Sequence, residues 1–140
     1  MKLKNIKRIY LFSILFMVSS CAAQSIIYEP VGIMDKPLPT IEIYTKEKKK
    51  ERNNVKVFIV NDKTFALLKK HISNNVIKSK VGEEYQYGSY KVSCTNGSEK
   101  IEYIIESKEA SHIFFQQQLS IVKQDKQLYE QLNTLLMRLR

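Results

Sequence analysis

The stretch YKVSCTNGSEKIEYII, residues 90–105, decides the fold because it predicts a β-hairpin. Two runs of alternating apolar and polar residues flank Asn96-Gly97, and Asn-Gly favours a two-residue type I′ turn in which both central residues take positive φ. That turn sets Val92 opposite Ile101, and a slip of one residue would exchange the two faces. The face expected to enter the core carries Tyr90, Val92, Cys94, Ile101, Tyr103 and Ile105.

Two more strands and a helix are predicted upstream of the hairpin. Apolar and polar residues alternate over 41–44 in a short strand, and residues 55–60 (VKVFIV) form an apolar, β-branched run suited to a central strand. Asn61 and Asp62 offer an N-cap for the helix that follows. This helix is expected to bury Phe65, Leu68 and Ile72, which recur at helical spacing.

The C-terminal third of the chain predicts one long helix. No glycine or proline follows Gly97, and Ser107 can cap a helix that starts near Lys108. About 30 residues of helix would be ~45 Å long. Because strands are shorter than this, the helix must bend near residues 116–118 or protrude beyond the sheet. Its apolar stripe consists of Ile121, Leu128, Leu132, Leu135 and Leu139.

These elements together predict an α+β fold in the order ββαββα, with a small antiparallel sheet, helices on one face and a long C-terminal helix. Residues 39–140 are expected to form this single domain. The chain has 140 residues, of which 44% are hydrophobic, and this composition excludes a disordered protein. Its net charge of +9 falls to +5 without the four basic residues among the first eight, so a nucleic-acid partner is not expected.

The N-terminus has the layout of a secretory signal peptide. Residues 1–8 are basic, residues 9–18 (IYLFSILFMV) are apolar, and residues 19–23 are small. A membrane-spanning helix needs about 20 apolar residues, so the ten-residue run is short for a span. An uncleaved anchor helix is the alternative interpretation of this segment.

Residues 18–21, Val-Ser-Ser-Cys, resemble the lipobox of bacterial lipoproteins, in which a branched aliphatic residue and two small residues precede an invariant cysteine. The resemblance implies that residues 1–20 are a lipoprotein signal peptide and that Cys21 carries the lipid that anchors the chain in a membrane of the cell envelope. Ala22 in place of Asp implies the outer rather than the inner membrane. The alternative is ordinary cleavage after Ala23, which would yield a secreted or periplasmic protein.

A tether is predicted between the lipid and the domain. All three prolines of the chain fall within residues 30–39, and proline favours extended structure or turns. Residues 21–38 are therefore expected to form a lipid-anchored, proline-containing tether with a reach of ~55 Å. Part of it is expected to pack on the domain, because it also contains apolar residues such as Ile26 and Ile27.

No motif in the sequence predicts catalysis, a cofactor or a metal. Cys94 could serve as a nucleophile only with a base in reach, and its place on the core face of the hairpin favours a structural cysteine. Glu109-x-x-His112 has metal-ligand spacing on a helix, but a second such pair is missing. His71, late in its helix, is a favourable residue for the helix dipole.

Three groups of residues are candidate binding surfaces. The charged loop over residues 46–52 is a candidate for contact with an anionic surface, and the tyrosines before the hairpin and the leucine stripe are candidates for a protein partner. The anionic-surface candidates are Lys48, Lys49, Lys50 and Arg52. The partner-binding candidates are Tyr85, Tyr87, Leu128, Leu132, Leu135 and Leu139.

The sequence thus predicts a small, exported, lipid-anchored envelope lipoprotein that acts as a non-enzymatic binding or accessory module. Its expected partners are the membrane, through Cys21, and an envelope protein. Two alternatives stay open. One is a small secreted or envelope enzyme, such as a hydrolase, with a site that the sequence does not reveal. The other is an inhibitor or immunity-type protein.

Overall fold

The structure is a computed structural model that describes residues 24–32, 37–47, 49–75, 77–78 and 85–139. The predicted signal peptide and Cys21 lie outside these residues. Among the helices of the described ranges, none has both the length and the apolar character that a bilayer crossing requires.

Six strands form one mixed sheet in the order β3-β2-β1-β5-β6-β4. Every neighbouring pair is antiparallel except β2 and β3, which are parallel. The strands are β1 (Gln24–Pro30), β2 (Thr40–Tyr44), β3 (Val55–Ile59), β4 (Ile77–Lys78), β5 (Tyr90–Asn96) and β6 (Glu99–Ile105). The helices are α1 (Asp62–Asn75), α2 (Lys108–Ile121) and α3 (Lys126–Arg138).

The three helices of the described residues pack on one face of this sheet, which confirms the predicted α+β class. The sheet is mixed and not antiparallel throughout, as the sequence had predicted, because β2 and β3 are parallel. Four aromatic rings at the centre meet edge to face, with centroid distances of 4.9 to 5.7 Å. Such pairs add specific geometry to the burial of apolar area. The rings belong to Tyr28 of β1, Tyr90 of β5, and Phe114 and Phe115 of α2. The predicted buried residues of α1, Phe65, Leu68 and Ile72, lie in the same core.

The prediction of a tether is wrong for residues 24–30, which form β1 in the middle of the sheet. Strand β1 pairs with β2 on one side and with β5 on the other, and Ile26 and Tyr28 are fully buried. Pro30 is the last residue of the strand. Proline has no amide hydrogen, and at this position no hydrogen bond between strands is lost. The described fold therefore includes residues 24–30, which precede the predicted domain start at residue 39.

The hairpin forms with the predicted faces but with its turn one residue later. Asn96 pairs with Glu99, so Gly97 and Ser98 form the loop. Gly97 has a φ of 63° and Ser98 has no positive φ, as in a type II′ turn and not a type I′ turn. Val92 consequently faces Tyr103. Moving the turn by one residue shifts the partner of each β5 residue by two along β6. Because side chains alternate with period two, every side chain stays on its predicted face.

Residues 55–59 form an edge strand, so the prediction of a central strand here is wrong. Strand β3 is the outermost strand on one side of the sheet, and its partner β2 lies between it and β1. Ile59 aligns with Tyr44, which points away from the helices, and is 42% exposed. A central strand pairs with a neighbour on each side, whereas an edge strand has one neighbour, and an apolar run alone does not show which of the two applies.

The predicted long C-terminal helix is divided into two by a turn over residues 122–125. Helix α2 ends at Ile121, and the next amide, that of Val122, still donates to Gln118. Asp125 then precedes α3, and its carbonyl accepts from Tyr129 at 2.8 Å. Each helix is ~20 Å long, close to the ~23 Å of a seven-residue strand. The break thus lets both halves cover the sheet, where a straight helix would extend past it.

Candidate functional site

The basic segment that joins β2 to β3 crosses the sheet face opposite the helices. Because β2 and β3 are parallel, this connection must return along the sheet before β3 starts. Arg52 ion-pairs with Glu42 on this face, and the Lys49 ammonium lies 5.1 Å from the centroid of the Tyr44 ring. Glu42 and Tyr44 point away from the helices, because the residues that alternate with them in β2 enter the core.

The guanidinium of Arg52 has a structural partner. Glu42 is only 4% exposed, and its carboxylate accepts hydrogen bonds from Arg52 and from the Tyr44 hydroxyl. Burial raises the pKa of Tyr44, and the hydrogen bond to Glu42 raises it further. A buried carboxylate is tolerated only with such partners. Among the predicted anionic-surface residues, Lys49 and Lys50 are exposed, and Lys48 lies outside the described residues.

The start of β1 lies beside the same basic segment. A surface cavity of about 160 Å³ is lined by Gln24 and Ser25 of β1 and by Lys46 and Lys49 of the segment. The Gln24 side chain also donates to Asn96, at the tip of the hairpin, at 3.3 Å. The entry of the chain into the fold, the basic segment and the hairpin tip therefore share one end of the sheet.

The two candidate tyrosines lie at the opposite end of the sheet. Tyr87 is 48% exposed, and the Lys108 ammonium lies 5.9 Å from the centroid of its ring. Tyr85 is half-buried. Both precede a turn in which Gly88 has a φ of 80°, so β5 does not extend back through them. Tyr87 is the better placed of the two for contact with a partner.

The leucine stripe of α3 belongs to the core, so its prediction as a partner-binding surface is wrong. Each of the four leucines is at most 3% exposed and packs with the sheet and the other helices. The long apolar stripe of an amphipathic helix indicates burial but does not say against what. Here the four residues Leu128, Leu132, Leu135 and Leu139 cover the sheet.

A pocket that the sequence did not reveal lies between α1 and the distal half of the hairpin. Its volume is about 410 Å³, within the usual range for small-molecule sites. Cys94, Ile101 and Tyr103 form an apolar floor, and Ile101 remains 38% exposed. Lys69 and Lys70 of α1 stand over this floor.

The polar rim of this pocket is more positive than negative. Two lysines of α1 face it, whereas Glu99 at the start of β6 is the acidic residue of its lining. Burial raises the pKa of the Cys94 thiol, and the positive charge of Lys69 offsets part of this rise. The pocket thus combines a half-exposed apolar surface with two adjacent cations, a combination that suits an amphiphilic molecule with an anionic group.

A chain of polar contacts crosses the core between β1, α2 and α1. The Tyr28 hydroxyl donates to the amide oxygen of Gln118. The amide nitrogen of Gln118 contacts Nδ1 of His71 at 2.6 Å. Nε2 of His71 contacts the Gln117 amide oxygen at 2.9 Å. Both ring nitrogens of His71 thus contact the side-chain amide of a glutamine in α2. Gln118 follows Phe114 by four residues, and residues four apart lie on the same face of a helix. This spacing is the sequence signal that the Gln118 side chain points inward.

The candidate catalytic residues are not brought together. Cys94 is 6% exposed, and burial raises the pKa of its thiol to about 11, so the thiolate is scarce near neutral pH. Both ring nitrogens of His71 contact glutamine amides, and Nε2 of His112 is buried without a hydrogen-bond partner among the residues that the structure describes. In the ranges that the structure covers, no cluster of three His, Cys, Asp or Glu side chains could hold a metal ion.

Comparison with known proteins does not assign the chain to a family. Neither protein-family models, nor curated proteins, nor solved structures match it.

Proposed function

We propose that the protein is a small, lipid-anchored, non-enzymatic binding module of the bacterial cell envelope and that the pocket between α1 and the hairpin is its ligand site. The observation that carries the binding role is the apolar floor of this pocket beneath Lys69 and Lys70. The anchoring role depends on the lipobox-like residues that precede Cys21. Ala22 favours the outer membrane as the location.

The chemistry of the pocket suggests the class of ligand. Apolar surface gains about 25 cal/mol per Å² when it is removed from water, so an alkyl group is the natural occupant of the floor at Ile101. A carboxylate or similar anion would meet Lys69 and Lys70. We therefore propose a small amphiphile with one anionic group, such as a fatty acid, as the ligand class.

Calorimetric titration of residues 22–140 tests this site, because that segment contains every strand and helix of the described structure. Dodecanoate is expected to bind more tightly than dodecanol, which has the same chain length but no charge. Replacing both Lys69 and Lys70 by Gln should remove this preference. Binding of the alcohol and the acid with equal affinity would contradict the role of the lysines.

Two isoleucine substitutions provide the matched control. Ile101→Gln places a polar group on the pocket floor and should weaken dodecanoate binding. Ile113→Gln alters an isoleucine that is more exposed, at 56%, but does not line this pocket, and it should leave binding unchanged. Equal effects of the two substitutions would show that the ligand binds elsewhere.

The two cysteines allow a direct test of the anchor. Cys21→Ser should abolish acylation and release the protein from the membrane fraction. Cys94→Ser should leave acylation intact, because Cys94 lies in the folded core. Intact mass spectrometry of both variants, with separation of outer and inner membranes, provides the measurement. An unacylated wild-type chain would refute the proposal of a lipoprotein.

The proposed protein partner of the envelope depends on Tyr87 now that the leucines of α3 are assigned to the core. Exposed tyrosine is favourable at interfaces because it buries a large area at a low cost in side-chain entropy. A photo-crosslinking amino acid at position 87 should capture a defined envelope protein. The same group at the exposed position 133 of α3 should not capture it.

A further inference from the structure

We propose that the end of the sheet where β1 begins rests on the membrane surface, with Lys46 and Lys49 against anionic lipid head groups. This inference rests on the proposed lipidation of Cys21. It adds an orientation and a lipid preference that the anchor alone does not specify.

The position of β1 removes the long linker that the prolines suggested. Only three peptide units separate Cys21 from Gln24. An extended chain spans at most ~3.6 Å per residue, so the Cα atom of Cys21 lies within ~11 Å of the Cα atom of Gln24. Gln24 is itself paired with Asn96 of β5. A lipid on Cys21 would therefore hold this end of the sheet at the bilayer.

The basic segment lies where the lipid would be. Lys46 and Lys49 are exposed and line the same cavity as Gln24, together with the one acidic residue of its lining, Glu47. The Debye length is ~8 Å at physiological salt, comparable with the maximum reach of the three-residue connection. Lysines held this close to a membrane are attracted by anionic lipids.

The sign of the charge at this position also favours an anionic surface. The described residues between 46 and 52 include four basic and two acidic side chains. Arg52 is paired with Glu42, which leaves the contact with head groups to the exposed lysines. Asn96, which bonds Gln24, also lines the pocket between α1 and the hairpin. One rim of the proposed ligand site is therefore at the membrane-facing end, where an amphiphile is concentrated.

The experiment uses the full lipidated protein in vesicles with one dye-labelled cysteine at either end of the sheet. Cys21 would carry lipid and Cys94 is buried, so an introduced cysteine is the reactive thiol. Glu47→Cys places the dye in the basic segment, and Glu106→Cys places it just after β6, about 20 Å away at the other end of the strands. A quencher attached to lipid head groups reports how close each dye is to the membrane.

We expect strong quenching at position 47 and little at position 106 in vesicles that contain phosphatidylglycerol. In pure phosphatidylcholine the quenching at position 47 should fall. Each lysine near an anionic membrane contributes about 1 kcal/mol. Replacing both Lys46 and Lys49 by Gln should therefore lower the ratio of molecules with this end on the membrane to molecules with it free about 30-fold. Replacing Lys91 and Lys108 by Gln removes the same charge at the opposite end and should have no such effect.

Equal quenching at the two positions would overturn the proposed orientation. Quenching at position 47 that does not depend on phosphatidylglycerol would overturn the role of the lysines. Intact mass of the same samples separates this inference from the proposed function. An acylated protein with equal quenching refutes the orientation alone, whereas an unacylated protein refutes the lipoprotein proposal.

Discussion

Replacing Tyr28 by Phe removes one hydroxyl from the core and leaves the amide oxygen of Gln118 without its donor. Both side chains are fully buried, so solvent cannot replace the lost hydrogen bond. An unsatisfied buried acceptor costs about 1–3 kcal/mol, and we expect Tyr28→Phe to lower the free energy of unfolding by about this amount. The aromatic ring stays in place, so the contacts with Phe114 and Phe115 should persist.

The second arm of the test is Gln118→Met, which keeps a side chain of similar length but removes the amide. It leaves the Tyr28 hydroxyl without its acceptor and Nδ1 of His71 without its amide contact, so we expect a cost of about 1–3 kcal/mol or more. The double substitution of Tyr28 and Gln118 removes both ends of the bond and leaves two apolar groups in contact. Its cost should therefore be smaller than the sum of the single costs by about 1–2 kcal/mol, as for residues that share a hydrogen bond.

Urea denaturation followed by far-ultraviolet circular dichroism measures these free energies, since the chain contains no tryptophan for fluorescence. Gln116→Met is the matched control, because Gln116 is an exposed glutamine of the same helix that takes no part in this chain of contacts. It should change stability little. Costs of Tyr28→Phe and Gln118→Met that add within about 0.5 kcal/mol would refute the hydrogen bond between these side chains.

Three further predictions concern the core, a turn and alkaline pH. Leu132→Ala should destabilise the fold by about 2–5 kcal/mol in urea denaturation, and Asn133→Ala, at the exposed neighbouring position, should have little effect. Gly88→Ala should cost about 1 kcal/mol or more in the same assay, because Gly88 has a positive φ and a Cβ there would lie 2.6 Å from the Cβ of Lys108. The Cys94 thiol has a pKa of about 11 when folded against 9.0 for an ordinary cysteine, so the unfolded chain loses this proton first. Stability should therefore fall as the pH rises above 9, and Cys94→Ala should make this fall less steep when urea midpoints are compared across pH.

Local patterns were sufficient for the hairpin and for α1. The alternation of side chains around Gly97 depends on strand geometry alone, so the faces were predicted even though the pairing shifted by two residues. Helix α1 was predicted from Phe65, Leu68 and Ile72, which are all buried as expected. In both elements the apolar residues share one face, and local geometry determines which residues do so.

Local patterns failed for β1 and for the turn between α2 and α3. The seven residues of β1 include two polar residues at the start and end in proline, and only pairing with both β2 and β5 makes them a central strand. No glycine or proline marks the turn at residues 122–125. Packing on a short sheet decides its position, because Val122 and Leu128 are then both buried.

Of the candidate functional features, the sequence by itself predicted the export signal. It also determined the cysteine at the lipobox-like position and the positive charge of the β2–β3 connection, because these depend on residue type and order. Only the tertiary structure decided that the leucines of α3 are core, that Lys69 and Lys70 stand over an apolar floor, and that Lys46 and Lys49 lie beside Gln24. Each of these relationships joins residues that are distant in sequence. They exist because strand pairing and helix packing bring those residues together, and no short-range pattern encodes such pairings.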